Sequence, residues 1–246
     1  MIEVSYDKWR VQVSPERGGS IRSISCSNEE LLYWSEGFGA RFSEPSFEAT
    51  RRAWLAGYSG GWNEILPNPG SAGEWFGFGL GFHGDTAELH ADVQEIGQSA
   101  LVTTNSATGI VLRRRVTAST RGVRVESFVE GVDNRAVPWL QHPIFALEVD
   151  TTVRTGDADI DGQLQVALAS DRPEGFWVAE AQGEVHLGNT VIRWSAETWP
   201  VVWLWLGVDE GRRFLGVEPS SCSPDRKVIA TQHSEKLSGW MEITKK

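Results

Sequence analysis

The stretch around which the chain is organised is Gly60-Gly61-Trp62-Asn63-Glu64-Ile65-Leu66-Pro67-Asn68, and a glycine- and aromatic-rich run ending in Phe82-His83-Gly84-Asp85 follows it. So many glycines beside polar side chains predict irregular backbone that carries those side chains into a cleft. The cleft would offer an indole, an amide, a carboxylate and an imidazole, which suit a polyhydroxylated ring: Trp62, Asn63, Glu64 and His83. The alternative is an ordinary loop in which Trp62 fills the core and the asparagines hold turns.

The length and charge of the chain restrict its class. A chain of 246 residues can form one large β domain, and we expect a single domain over residues 1–246. The formal net charge is -10, and the basic run Arg113-Arg114-Arg115 lies in a strand-like segment where we expect it to face water. This distribution of charge predicts no binding to nucleic acid or to an anionic membrane.

The cysteines and the N-terminus predict a compartment. Cys26 and Cys222 are the only two cysteines, they are far apart, and they fit no metal or redox spacing, so no disulfide framework is expected. Residues 1–10 lack a basic patch followed by an apolar core, and no eighteen apolar residues run together. We therefore expect a soluble, cytoplasmic protein, and its 12 tryptophans suit both a packed core and sugar binding.

Period-two alternation of apolar and polar residues predicts a series of strands. The segment from 35 to 84 breaks this pattern, is too long for an inert connection and shows no helical periodicity. With no amphipathic helix evident elsewhere, the pattern favours an all-β, mostly antiparallel sandwich. The predicted strands are 2–13, 20–25, 31–34, 87–93, 100–103, 110–116, 122–129, 137–147, 163–168, 190–194, 201–206, one from 214 onwards, and 239–243.

Two polar residues interrupt apolar strands late in the chain. His142 lies in Val137-Pro138-Trp139-Leu140-Gln141-His142-Pro143-Ile144-Phe145, and its flanking prolines limit strand pairing. It is either a hydrogen-bonded core histidine or a residue at a bulge beside a site. Glu218 follows Phe214-Leu215-Gly216-Val217 and precedes Pro219, so it either contacts solvent or a neighbouring arginine or projects from a strand end into a cleft.

The order of these elements resembles the aldose 1-epimerase, or galactose mutarotase-like, superfamily. The resemblance rests on His83-Gly84, on His142-Pro143-Ile144-Phe145-Ala146-Leu147 and on Gly216-Val217-Glu218-Pro219, and the openings Gly18-Gly19-Ser20-Ile21 and Leu31-Leu32-Tyr33-Trp34 extend it over nearly the whole chain. It implies a β-supersandwich of mostly antiparallel strands. It also implies an enzyme that interconverts the anomers of a sugar, such as a hexose.

The resemblance implies roles for particular residues. His142 would be the general acid, Glu218 the general base and His83 a substrate ligand, with Asp171 as the candidate for a mid-chain sugar-binding aspartate. The chain is shorter than typical members and lacks their Asn-Arg segment. An acid and a base suffice for opening and closing a sugar ring, so neither a metal nor a cofactor is expected.

Three other functions remain open from the sequence. A β-sandwich with exposed tryptophans can bind carbohydrate without catalysis. A metal-dependent sugar isomerase would use His83, His90 and a carboxylate as ligands, although no His-x-His occurs. A glycoside hydrolase would need two carboxylates across one cleft, such as Glu64 and Glu218.

Overall fold

Antiparallel β-strands dominate the computed structural model, which describes residues 1–75, 77–133, 135–225 and 236–246. Its strands are β1 Ile2–Tyr6, β2 Trp9–Ser14, β3 Ser20–Cys26, β4 Glu29–Glu30, β5 Trp62–Ile65, β6 Gly73–Trp75, β7 Phe78–Leu80, β8 Asp92–Ile96, β9 Ser99–Asn105, β10 Val111–Ala118, β11 Gly122–Glu130, β12 Leu140–Leu147, β13 Val153–Arg154, β14 Gly175–Glu180, β15 Glu184–Leu187, β16 Thr190–Trp194, β17 Val201–Asp209, β18 Arg212–Ser220 and β19 Lys236–Lys245. The helices are α1 Phe38–Arg41, α2 Ala49–Gly57 and α3 Ala158–Leu168.

Two large sheets form a sandwich, as the strand pattern predicted. One sheet has the order β1-β2-β3-β5-β12-β18-β17-β14, with β4 paired to β3. The other has the order β13-β15-β16-β19-β11-β10-β9-β8, and β6 and β7 form a separate hairpin. Apolar side chains from both sheets form the main core between them, since each half-buried strand must cover its apolar face.

A second apolar cluster covers the outer face of the β5-containing sheet. Side chains of α1 and α2, among them Phe38, Trp54 and Leu55, pack there against Ile144 and Phe214. An ion pair fastens this cover to the sheet, because the Arg41 guanidinium and the Tyr33 hydroxyl both donate to Asp209. The central strands are therefore buried on both faces, and a cavity lies between the cover and the sheet.

Several sequence predictions for individual elements are wrong. Residues 2–13 form two strands joined at Asp7, which has a φ of 55°. The segment 163–168 lies in α3, whose N-cap Asp157 accepts hydrogen bonds from the backbone N–H groups of Asp159 and Ile160. Helix α2 lies inside the segment expected to be irregular, and 31–34 makes only isolated bridges. Helix α2 is short, and packing against the sheet stabilises it where periodicity gave little signal.

The organising stretch itself contains a central strand rather than a loop. The φ values of Gly60 and Gly61 are 85° and 77°, and an added Cβ on Gly60 would come within 2.4 Å of the Tyr33 carbonyl oxygen. The glycines thus allow the sharp entry into β5, which pairs with β12 and has four buried residues in succession. A strand covered on both faces loses the alternation by which strands are recognised.

Glu64 points from β5 into the space between the sheets. Its carboxylate accepts hydrogen bonds from Ser127 Oγ at 2.9 Å and Trp139 Nε1 at 2.7 Å, and lies 3.7 Å from Arg114 Nε. The Arg114 guanidinium also donates to the carbonyl oxygen of Gly19 at 2.7 Å. Arg114 is 2% exposed, so the expectation that the arginine run faces water is wrong at its middle residue.

The structure also bears on the two cysteines and on membrane-spanning helices. Cys26 and Cys222 are both buried. In the described part of the chain, no helix has the length and apolar character needed to cross a membrane.

Candidate active site

One row of side chains crosses the covered sheet and brings distant parts of the sequence together. Asn63 pairs with His142 across β5 and β12, and Trp203 pairs with Glu218 across β17 and β18. Between β12 and β18, Leu140 pairs with Ser220 and Ile144 pairs with Gly216, which leaves His142 and Glu218 at corresponding positions. Residues opposite each other in antiparallel strands share a face, so the row projects into the space beneath the cover.

The cavity beneath the cover has a volume of about 300 Å³. His83, His142 and Glu218 all line it, so the structure brings together the three residues on which the resemblance rests. The cavity is largely aromatic, and its other lining residues are Phe42, Arg51, Trp54, Leu55, Tyr58, Phe82, Phe176, Trp203 and Trp205. A mostly apolar pocket with a few convergent polar groups is the usual form of a small-molecule site.

His142 and Glu218 form a buried acid–base pair. Each residue is 4% exposed, and Nε2 of His142 lies 3.8 Å from Oε1 of Glu218. Burial raises the pKa of Glu218 to about 8 and lowers the pKa of His142 to about 4, because a low-dielectric site disfavours the charged form of either group. Between these values the pair holds one proton, and in the free protein that proton resides on Glu218.

Tyr58 orients the imidazole of His142. Its hydroxyl lies 2.9 Å from Nδ1 of His142. Burial raises the pKa of Tyr58 well above its ordinary value, so the phenol stays protonated and can donate to Nδ1. The hydroxyl can equally accept a hydrogen bond from Nδ1–H, and in that tautomer the lone pair of Nε2, the nitrogen nearest Glu218, can receive a proton.

His83 is fixed by the backbone beside His142, and the centroids of the two rings lie 5.5 Å apart. Its Nδ1 accepts a hydrogen bond from the Gly70 N–H at 3.0 Å, and its own N–H donates to the Gly70 carbonyl oxygen. It adopts a φ of 63°, which is uncommon for a residue with a Cβ. Burial lowers its pKa well below the ordinary value, with His142 and Arg51 acting in the same direction. A neutral His83 therefore presents Nε2–H as a hydrogen-bond donor.

Sequence reasoning missed most of the aromatic wall. The Trp54 ring lies 4.4 Å from that of Tyr58 and 4.5 Å from that of His83, measured between ring centroids. Trp54 lies in α2, and Tyr58 is the C-terminal cap residue of that helix. Because α2 was not predicted, no signal placed these two residues at the site. Arg51, also on α2, stacks its guanidinium 3.6 Å from the Phe47 ring centroid.

The other predicted binding residues lie elsewhere. Trp62 is fully buried in the core and donates from Nε1 to Gln141 Oε1 at 2.8 Å, while Glu64 lies between the sheets. Asn63 is on the face of His142 but lines a different cavity, and Asp171 lines a third cavity that shares Phe42, Phe176 and Trp205 with the first. The expected cluster of Trp62 and Glu64 around the site is therefore wrong, because alternate residues of β5 point to opposite faces.

These positions bear on two of the rival functions. Glu64 and Glu218 lie on opposite faces of one sheet, so they do not form the carboxylate pair that a glycoside hydrolase would use. His90 is exposed, and over residues 1–75, 77–133, 135–225 and 236–246 no three His, Cys, Asp or Glu side chains are grouped to hold a metal ion.

Comparisons with known proteins identify the fold. No protein-family model and no curated protein matches the chain. Among solved structures, a Synechocystis protein has a TM-score of 0.70 at 20% identity, covering 99% of this chain and 94% of that one. A galactose mutarotase-like protein from Lactobacillus casei has a TM-score of 0.64 at 13% identity, covering 99% of both chains.

A third structure agrees with these two. A galactose mutarotase related enzyme from Lactobacillus acidophilus has a TM-score of 0.64 at 13% identity, covering 100% of this chain and 97% of that one. At such low identity, these likenesses establish architecture and not activity. The chain has the galactose mutarotase-like fold, a sandwich of mostly antiparallel sheets, as its sequence predicted.

Proposed function

We propose that the protein is an aldose 1-epimerase-like isomerase that interconverts the anomers of a sugar in the cavity beneath α2. The single observation that carries this proposal is the buried pair of His142 and Glu218, whose Nε2 and Oε1 atoms lie 3.8 Å apart inside an aromatic pocket. Such a pair can donate and accept a proton in the same turnover without a metal or cofactor. The aromatic rings suit the faces of a pyranose, and His83 supplies a fixed donor for a hydroxyl or ring oxygen.

The reaction requires balanced proton transfers. A base removes the proton of the C1 hydroxyl while an acid protonates the ring oxygen, so that the C1–O5 bond breaks and a free aldehyde forms. Rotation about C1–C2 presents the other face of the carbonyl, and ring closure returns both protons to their original groups. We assign the C1 hydroxyl to Glu218 and the ring oxygen to His142.

This assignment requires the proton to move when substrate binds. In the free protein burial places it on Glu218, whereas a basic Glu218 needs it on His142. The separation of 3.8 Å between Oε1 and Nε2 is short enough for a substrate hydroxyl or a water molecule to relay it. Substrate hydroxyls that donate to the carboxylate would also favour its ionised form.

Polarimetry of freshly dissolved sugars tests the proposal. We expect the rate of approach to anomeric equilibrium to rise in proportion to protein concentration for at least one aldohexose, or for its phosphate ester. A panel of glucose, galactose and their 6-phosphates covers both neutral and anionic substrates. Saturable binding with no acceleration would instead support the carbohydrate-binding alternative, which the aromatic cavity also favours.

The pH dependence of this activity is a specific prediction. We expect kcat/KM to be highest between limbs with apparent pKa values of about 4 and about 8. Above the upper limb the pair loses its only proton and has no acid, and below the lower limb it gains a second proton and has no base. Initial rates in buffers of constant ionic strength, corrected for the uncatalysed reaction, give the profile. Activity that rises steadily above pH 8 would contradict a shared proton.

Gly216 is expected to set the position of the Glu218 carboxylate. An added Cβ at Gly216 would come within 2.5 Å of Oε1 of Glu218 and 3.1 Å of Cδ1 of Ile144. We expect Gly216→Ala to displace the carboxylate and to lower kcat by about 10–100-fold, because misplacement by about 1 Å has effects of this size. Gly79→Ala is the matched control, since a Cβ there meets no atom within 4 Å. Equal kcat for both variants would contradict this role.

A further inference from the structure

A second cavity, of about 220 Å³, lies on the other side of Tyr58 from the candidate active site. We call it the Arg17 cavity. Its polar lining includes Ser14, Glu16, Arg17, Ser20, Arg22 and Asn63. Tyr58 lines both cavities, so one phenol ring separates the Arg17 cavity from the imidazole of His142.

Neither guanidinium group of the Arg17 cavity has a carboxylate partner within residues 1–75, 77–133, 135–225 and 236–246. Neither Arg17 nor Arg22 makes an ion pair with any described residue. Arg22 is held by stacking 3.7 Å from the Trp34 ring centroid, and Arg17 packs against Gly57, where an added Cβ would come within 2.4 Å of its Nη1. Two positioned cations without counter-charges are unusual in a chain of net charge -10.

Asn63 adds a buried amide to the same wall. It is 3% exposed, and its side chain makes no hydrogen bond to the part of the chain that the structure describes. Neither amide atom of Asn63 is among the fully buried side-chain atoms that lack a partner, so the amide opens onto the cavity and must take its partner from there. A molecule bound in the Arg17 cavity would supply that partner, and the amide N–H₂ group would act as a third donor beside the two guanidinium groups.

We propose that the Arg17 cavity binds a small oxyanion, either inorganic phosphate or the phosphate or carboxylate group of a small metabolite. The donors are guanidinium, amide and hydroxyl groups, and guanidinium matches the paired oxygens of phosphate and carboxylate. Glu16 is the only acidic side chain at the described lining and is exposed at its rim. The site does not depend on the proposed isomerase activity, because its residues are not those that act on the sugar.

The shared wall makes the oxyanion detectable at the active site. An anion beside Arg17 offsets the positive charge that acts on the Tyr58 hydroxyl, and that hydroxyl is hydrogen-bonded to His142. We expect the ¹⁵N chemical shifts of the His142 ring to change as the Arg17 cavity fills. His186, which lies on β15 in the other sheet, is the internal control and should not shift.

Titration calorimetry of the full chain with inorganic phosphate, at constant ionic strength, tests the proposal. We expect saturable binding that Arg17→Gln and Arg22→Gln each weaken by about tenfold or more, as expected for a hydrogen bond to a charged group. Glu16→Gln should tighten binding or leave it unchanged, because it removes a like charge. Arg121→Gln, in the turn between β10 and β11 of the other sheet, removes the same charge elsewhere and should leave the Kd unchanged.

The outcomes separate clearly. A parallel titration with acetate identifies the source, since tighter binding of acetate than of phosphate would assign a carboxylate to the site. Circular-dichroism melts establish that each variant is folded. The absence of saturable binding of either anion, or equal weakening by Arg17→Gln and Arg121→Gln, would overturn the proposal. If the native protein binds phosphate but does not accelerate sugar mutarotation, the result would count against the proposed function alone.

Discussion

Glu218→Gln is expected to lower the kcat for sugar mutarotation by about 10²–10⁴-fold, the range found for a positioned acid or base. The amide keeps the shape of the carboxyl group but cannot exchange a proton with His142. His142→Asn should give a loss of similar size, because it removes the other half of the pair. Polarimetric rates at pH 6, where the native pair holds one proton, measure both effects.

Stability provides the control for Glu218→Gln. Burial raises the pKa of Glu218 from its ordinary 4.5 to about 8, so its protonated form stabilises the fold. That contribution is complete below pH 4.5 and is lost as the pH rises through 8. The amide does not ionise, so we expect the variant to melt at or above the native temperature at pH 8.5. Unchanged kcat in both single variants would contradict the assignment.

The double variant distinguishes a concerted pair from two separate roles. If Glu218 and His142 exchange protons in one step, Glu218→Gln combined with His142→Asn should lose much less than the product of the single losses. Fully multiplicative losses would indicate independent roles and would make His83 the stronger candidate for the acid.

Glu64→Leu is expected to lower the free energy of unfolding by about 3–5 kcal/mol. The substitution leaves Arg114 charged, 2% exposed and without a carboxylate partner, and breaking a buried pair in this way has costs of that size. Urea denaturation followed by tryptophan fluorescence measures the change. Because Glu64 lies between the sheets and not in the cavity, the fraction that remains folded should retain its kcat.

Two further variants test the origin of this loss. Combining Glu64→Leu with Arg114→Met removes both charges and should recover much of the stability, which a double-mutant cycle quantifies. Glu130→Gln removes a carboxylate from exposed pairs with Lys236 and Arg113, and should change stability far less. A loss in Glu64→Leu no larger than that in Glu130→Gln would contradict the buried pair.

Sequence reasoning predicted the sandwich and singled out His83, His142 and Glu218, which line one cavity, but it did not predict the walls of that cavity. Strands such as β10 and β11 alternate clearly because one face meets the core and the other meets water. Strand β5 is buried on both faces and follows two glycines, so its sequence does not alternate and resembles that of a loop. Helix α2 has only nine residues, and its aromatic contact with the sheet, between Trp54 and His142, depends on tertiary packing.

The predicted positions of Trp62 and Glu64 beside the site were wrong, and Asn63 lines a different cavity, for a related reason. Side chains on consecutive strand residues alternate between faces, so these three could not all line one cavity once β5 formed. A reader of the sequence could deduce this only by knowing that the stretch is a strand. Glu218 lies inside β18 rather than at its end. It still faces the cavity, because its position on β18 corresponds to that of His142 on the neighbouring strand β12.

The cross-strand row also has a kinetic consequence. Along the chain, 79 residues separate Asn63 from His142, and 76 separate His142 from Glu218. No local segment can bring these groups together, because each strand pairing closes a long loop. The chain loses the conformational entropy of that loop before native contacts compensate for it. During refolding, the active site should therefore form only when β5, β12 and β18 have docked. Recovery of catalysis should follow the slow global phase rather than any early collapse, so the activity itself would report the completion of folding.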